Sequence, residues 1–373
     1  MGVPPTTSLI KREAGLSRIP YLDGLRGLAC LFVVAHHYFL MPFYDNKDVM
    51  QSWWGRLFFQ TWGVVDWFFV LSGWLIGTIL LQHRDSPRYY RTFYVRRAAR
   101  VLPLFFVLSV LFLFLSKTYE THLPWLFNDP LMPLWSFPLT LHTLVGGYYG
   151  TLGDRFISVS WTLVLEMHFY LLIPVIIKYF NRFQFALLFL GLTALAIYLR
   201  LVVPGECGVW QRSLLFTRPE GVFGGVLLAY YQKDKLFLFN GNPWGPWILW
   251  IALFPGVVLS AWDYYFGVFT YTWFALTAMA FFAVLLVKPM FFKDVLEFKF
   301  FRWVGTISYS VYIWHLPIIG LVFNVFLKGD PQPSHPFFWE GTLGALILSF
   351  LVAQLSYVFI EKPFLKAGKR FSY

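Results

Sequence analysis

The stretch Tyr21-Leu-Asp-Gly-Leu-Arg-Gly-Leu-Ala-Cys-Leu-Phe-Val-Val-Ala-His-His37 puts Asp23 and Arg26 at the mouth of an apolar helix and two histidines deep within it. Ionisable side chains inside a membrane span are costly and are retained chiefly for function. Arg26 and His37 are eleven residues apart. At about 100° per residue they differ by about 20° around the helix, so they share a face and lie about 16 Å apart along its axis. His36 is about 80° away. A snorkelling arginine, or a histidine that only bonds a neighbouring helix, would explain either residue alone. Two ionisable groups in one column point to a working site.

Composition extends this reading to the whole chain. Of 373 residues, 58% are hydrophobic and only 13% charged, and mean hydropathy is +0.59. That marks an integral membrane protein, whose active site must be built from spans and short loops. Aromatic residues, at 22%, suit lipid-facing and interfacial positions. Cys30 in an apolar run and Cys207 in a loop give no disulfide framework. The net charge of +11 is a topology signal and not a nucleic-acid footprint. Residues 1–20 are polar and lack the apolar core of a cleavable signal.

Apolar segments long enough to cross a bilayer recur at about 24–44, 62–82, 101–116, 159–178, 183–203, 212–231, 245–262, 269–287, 303–327 and 341–360. The expected fold is therefore all-α, a polytopic bundle of about ten transmembrane helices. Basic residues alternate along it. With the N-terminus inside, the inner segments carry Lys11, Arg12 and Arg18, the run Arg84–Arg100, Lys178 and Arg182, Lys233 and Lys235, Lys288–Arg302, and Lys362–Arg370. They outnumber the outer group, Lys47, Arg56, Lys117, Arg155, Arg200, Arg212 and Lys328, by three to one. By the positive-inside rule both termini are cytosolic. No internal repeat is visible, against the inverted-repeat plan of many transporters.

His37, Asp66, Glu166, and the pair Arg218 and Glu220 flanking Pro219 all fall in the outer halves of their expected spans. Five ionisable residues at one depth cannot all face lipid, so they are expected to converge on a polar cavity. Pro219 within a span would also free a backbone carbonyl there. A histidine in such a cavity suits general-base work, with Asp66 or Glu166 to set its tautomer. The packing alternative is a buried ion-pair network joining Arg218 to Glu166 or Glu220. At the inner level Arg96, Arg97 and Arg100 stand near Arg26, and arginine forks suit phosphates. A phosphate-bearing head with a long arm ending in a thioester fits the two levels. His315 lies near the middle of the ninth span and could line the same passage. No metal-ligand, P-loop or serine-hydrolase pattern occurs.

Six motifs in order resemble the membrane-bound acyltransferase family 3. Leu22-Asp-Gly-Leu-Arg-Gly-Leu-Ala29 followed by His37 is similar to that family's Arg-x10-His signature. Phe68-Phe-Val-Leu-Ser-Gly-Trp-Leu-Ile76, with Asp66 just ahead, resembles its second-span motif. Arg97-Ala-Ala-Arg100 with Pro103 resembles its Arg-x-x-Arg element. Ser160-Trp-Thr-Leu-Val-Leu-Glu166 is similar to the segment that carries its buried glutamate. Gly305 to Pro317 and Glu361-Lys-Pro-Phe364 resemble its last two spans.

The resemblance implies O-acyl transfer from cytosolic acyl-CoA, most simply acetyl-CoA, to a hydroxyl on a sugar, lipid or small-molecule acceptor, with no permanently bound cofactor. Together with the span-depth reading, the expected catalytic residues are His37, Glu166 and Asp66, and the expected substrate-binding ones are Arg26, Arg97, Arg100, Arg218, Glu220 and His315. The expected layout is a cytosolic segment 1–20, the acyltransferase 3 transmembrane domain 21–364 and a cytosolic tail 365–373. Some family members carry an extra extracytoplasmic domain, which is not expected here because only twelve residues follow Glu361. The competing reading is a transporter or flippase for an anionic or lipid-linked solute that uses the same charged cavity.

Overall fold

Apolar runs of this length must satisfy their backbone hydrogen bonds internally, so each folds as a helix. The computed structural model describes residues 19–44, 46–119, 122–127, 132–202, 210, 213–232, 244–259, 264–287 and 290–373. Its helices are α1 (Pro20–Ala35), the short α2 (Lys47–Gln51) and α3 (Trp53–Phe59), α4 (Val65–Gln82), α5 (Tyr89–Tyr119), α6 (His142–Tyr149), α7 (Trp161–Tyr179) and α8 (Arg182–Val202). They continue with α9 (Glu220–Tyr231), α10 (Gly245–Leu259), α11 (Tyr264–Val287), α12 (Met290–Leu296), α13 (Lys299–Leu321), α14 (Phe338–Ser356) and α15 (Lys362–Gly368). No strand occurs among the described residues. Lys11, Arg12, Arg18, Cys207, Arg212, Lys233, Lys235 and Lys288 lie outside them.

The protein is an all-α, multi-pass integral membrane protein. Eight of the described helices are long and apolar enough to cross a bilayer. Helices at the sixth and seventh expected positions, α9 and α10, are shorter, at 12 and 15 residues. Large apolar side chains such as Phe106, Phe114, Leu190, Ile347 and Leu351 are exposed on the outside of the bundle, the surface that lipid covers.

Three expectations change. The third helix begins well ahead of the apolar segment 101–116: α5 runs for 31 residues, with Arg91 to Arg100 in its first helical turns. Pro219 is not inside a helix but caps the start of α9, a position where no intrahelical N–H bond is lost to its missing N–H. Arg200, counted with the outer loop charges, is 2% exposed and paired with Glu220.

Two glycine-mediated crossings hold the site. A Cβ on Gly305 of α13 would lie 1.8 Å from the Asp23 carbonyl oxygen, and one on Gly27 of α1 would lie 1.9 Å from that of Phe301. Backbones of α1 and α13 therefore touch, as small residues permit in membrane bundles. Gly73 of α4 and Gly225 of α9 do the same against Val222 and Val70. The first crossing brings Arg26 and His37 beside α13; the second joins Asp66 to the start of α9.

Candidate active site

Helix α1 does not end at Ala35 but widens into a π-helical turn, His36–Leu40, at the histidine pair. Such turns often mark functional positions, because they redirect side chains within a continuous helix. His37 Nδ1 lies 2.9 Å from the Val33 carbonyl oxygen and 3.3 Å from His315 Nε2. A carbonyl only accepts, so Nδ1–H of His37 donates, and in the neutral ring Nε2 carries the lone pair. His315 is fixed in the same way: its Nδ1–H donates to the Tyr312 carbonyl at 2.7 Å, which leaves Nε2 to accept from His37. Nε2 of His37 makes no hydrogen bond among the described residues.

His36 is committed elsewhere. Thr61 Oγ1 donates to the Phe58 carbonyl at 2.7 Å and accepts from His36 Nδ1–H at 2.9 Å. His36 Nε2 accepts from the Tyr44 hydroxyl. Both ring nitrogens are occupied, so of the adjacent pair only His37 presents a free basic nitrogen.

Five helices enclose a cavity with an empty volume of about 790 Å³, including its open mouth. Its polar walls are Arg26 of α1, Ser72 of α4, Arg97 and Arg100 of α5, Thr162, Glu166 and Tyr170 of α7, and Ser308, Tyr309 and Tyr312 of α13. The arginines are loosely held. Arg26 is 3.8 Å from Asp23, and Arg100 is 3.9 Å from Glu361. Arg97 has no carboxylate partner among the described residues; it lies against the rings of Phe93 and Tyr170, and its buried Nε has no hydrogen-bond partner. Glu166 accepts a 2.7 Å bond from Tyr170. Three guanidiniums facing one carboxylate leave a cationic chamber whose donors match phosphate oxygens.

Tyr312 joins the two features. Its hydroxyl donates to the Val159 carbonyl at 2.7 Å and accepts from Thr162 at 2.8 Å, which fixes the cavity wall. Its carbonyl holds His315, which holds His37. His37 does not itself line the cavity; it stands one histidine behind that wall.

The structure thus brings Arg26, Arg97, Arg100 and Glu166 together, with His37 and His315 in contact beside them. Asp66, Arg218 and Glu220 sit apart from this group in a buried double ion pair. Arg218 Nη2 is 2.6 Å from Asp66 Oδ2, and Trp62, Phe69, Trp161 and Tyr271 surround the guanidinium at 4.7–5.6 Å. Glu220 pairs with Arg200 and accepts from Thr272 at 2.6 Å. Removing one partner of such a buried pair costs about 3–5 kcal/mol, so Arg218 is held by a carboxylate where Arg97 is not. Arg218 was expected beside Glu166 or Glu220 if it served only packing; its partner is Asp66.

Sequence reasoning passed over several members. Tyr170 and Tyr312 give no signal in an aromatic-rich chain. Glu361 is the carboxylate that closes the last apolar run, buried at the end of another π-helical turn, Tyr357–Glu361, where it also accepts from Ser310 at 3.2 Å. A charge at the end of a span reads as an interfacial residue. Only its position opposite Arg100 shows otherwise.

The family model described as an acyltransferase domain matches residues 19–357. Peptidoglycan O-acetyltransferase OatA of Listeria monocytogenes is 28% identical over 389 residues, covering 96% of this chain and 58% of its own length. The putative peptidoglycan O-acetyltransferase YrhL of Bacillus subtilis is 28% identical over 379 residues, covering 94% of this chain and 56% of its own. A putative O-acetyltransferase of Staphylococcus aureus strain COL is 26% identical over 382 residues, covering 94% and 58%. The chain spans somewhat more than half the length of these relatives. No solved structure matches it significantly. With the family match running over nearly the whole chain and a multi-span helical bundle around the site, the chain belongs to the acyltransferase 3 family.

Proposed function

We propose that the protein transfers an acyl group, acetyl in the first instance, from acyl-CoA to a hydroxyl of a sugar, lipid or small-molecule acceptor. The observation that carries this reading is a histidine with a free Nε2 set just behind a cavity that holds three weakly paired guanidiniums. The names of the relatives, all O-acetyltransferases, support the same chemistry. In this reading Arg26, Arg97 and Arg100 take the phosphates of the coenzyme, and its long arm passes along α7 and α13 toward Tyr312. His37 Nε2 takes the proton from the acceptor hydroxyl as that oxygen bonds to the thioester carbonyl carbon. The carbon–sulfur bond then breaks, and the coenzyme thiolate leaves and is reprotonated from His37. His315 and the Val33 carbonyl are positioning groups that keep the proton on Nδ1, a task the sequence offered to Asp66 or Glu166. Glu166 offsets part of the arginines' charge while the chamber is free of phosphate. The excess of basic residues at one set of span ends supports an arginine end in the cytosol, the side from which acyl-CoA would enter.

Membranes from cells producing the protein, incubated with acetyl-labelled acetyl-CoA, are expected to gain alkali-labile labelled ester. Membranes without it are not. Equal labelling in the two would remove this reading.

A further inference from the structure

Arg96, Arg97 and Arg100 lie on adjacent turns of α5, yet they face different partners. Arg97 and Arg100 line the cationic cavity, and Arg96 does not. It turns instead to the segment that follows α15. Arg96 Nε–H donates to the Phe371 carbonyl at 2.8 Å, and its guanidinium lies 5.4 Å from the centre of the Tyr373 ring. One turn earlier, Thr92 Oγ1 donates to the Ser372 carbonyl at 2.9 Å. One turn later, a Cβ on Gly368 would meet that of Ala99 at 3.0 Å. Arg100, next to Ala99, reaches Glu361 at 3.9 Å. Thr92, Arg96 and Ala99 are four and three residues apart, so they form one stripe along α5. The stretch Glu361–Tyr373 lies along that stripe as a strap.

The far end of the strap is fixed. Tyr373 stacks on His83, just past the end of α4, with ring centres 4.2 Å apart, and His83 Nδ1–H donates to the Ile79 carbonyl at 2.9 Å. Burial raises the pKa of the Tyr373 hydroxyl while Arg97 and Arg96 act against that rise, so the ring stands in the field of a cavity arginine. On another side α5 is tied to α7, where Tyr89 donates to the Pro174 carbonyl and Tyr94 to the Leu171 carbonyl, each at 3.0 Å. With the strap loosened, the helix keeps its place beside α7 but can roll. A roll of about 20° moves a guanidinium about 5–6 Å from the axis by about 2 Å, enough to break a hydrogen bond to phosphate.

We propose that Thr92, Arg96 and Tyr373 are positioning residues for the donor: through the strap they fix the roll of α5 and so aim Arg97 and Arg100 at the phosphates of acyl-CoA. The assignment rests on the acyl-transfer reading and separates Arg96 from the arginines that take phosphate. With its Nε–H bonded to a carbonyl and its guanidinium beside a ring, Arg96 orients the helix and does not grip the ligand.

The test is equilibrium binding of coenzyme A to the whole chain purified in detergent. Tyr373→Ala removes the stack on His83, and Thr92→Val removes the bond to the Ser372 carbonyl; neither changes a charge. Each should raise Kd about fivefold, the scale of one neutral contact, while the melting temperature stays within about 2 °C of the parent. Tyr373→Phe keeps the ring and should bind as the parent does. Arg97→Lys should raise Kd about tenfold. Adding Tyr373→Ala to it should leave the rise at about tenfold, short of the roughly fiftyfold that independent losses would give, because the strap acts through the residue already replaced. Parent-like binding in both Tyr373→Ala and Thr92→Val would overturn the strap's role and leave the donor reading standing. A fiftyfold loss in the double variant would overturn action through Arg97, and Tyr373→Phe as weak as Tyr373→Ala would overturn anchoring by the ring. A parent protein that binds no coenzyme A would remove the acyl-CoA reading and the strap's role with it.

Discussion

His36 and His37 are neighbours of one chemical type with different freedom. Thr61 and Tyr44 occupy both nitrogens of His36, while Val33 and His315 occupy only Nδ1 of His37. Tyr44→Phe releases His36 Nε2 without touching His37, so acyl transfer is expected to stay within about threefold of the parent, the loss of one neutral hydrogen bond being worth about 1 kcal/mol. A collapse of the rate in Tyr44→Phe would mean that His36 carries the reaction. The eleven-residue spacing from Arg26 was enough to favour His37, because helical phase is a local property. The partners of these side chains were not legible. Asp66 looked available to orient a histidine until the fold gave it Arg218, a residue 152 positions away.

At the scale of elements, close backbone contact decides which helices can share the site. Gly305→Val would drive a side chain into the Asp23 carbonyl, so α1 and α13 must part, at a cost on the order of 3 kcal/mol. The melting temperature in detergent should fall clearly, whereas Gly191→Ala on α8, with nothing within 4 Å, should leave it unchanged or raised. Equal melting of Gly305→Val and the parent would refute the crossing. A second element-level expectation concerns His142, which lies outside the candidate spans. It is buried against Phe137, with Nε2 2.9 Å from Ser160 Oγ just before α7. Burial, with a smaller contribution from His168, lowers its pKa from 6.5 to about 3. The native ring stays neutral while the unfolded one gains a proton below pH 6.5, so this contribution to stability is present above 6.5 and lost as pH falls toward 3. His142→Gln should flatten the pH dependence of melting in that window by up to about 1.4 kcal/mol per pH unit. An unchanged slope would show that His142 is not held neutral. Apolar runs announced most helices in the sequence, because length and hydropathy are local. The π-helical turns and the late start of α9 depend on packing and were not announced.

Over the whole molecule, cationic donors gather at one end of α1 and histidines at the other, with α7 and α13 forming the wall between. The sequence showed both levels as charges in apolar runs. It did not separate Arg97, which has no carboxylate partner among the described residues, from Arg218, which is paired with Asp66, because that difference lies in tertiary partners. In the proposed reaction the two ends of α1 do different work on one substrate, which initial rates of coenzyme A release against acyl-CoA concentration test. Arg97→Lys should raise KM about tenfold with kcat nearly unchanged, since lysine keeps the charge but not the paired planar donors. His37→Ala should lower kcat by at least about a hundredfold with KM unchanged, the usual scale for a general base. A His37→Ala enzyme that turns over as fast as the parent would show that His37 is not the base.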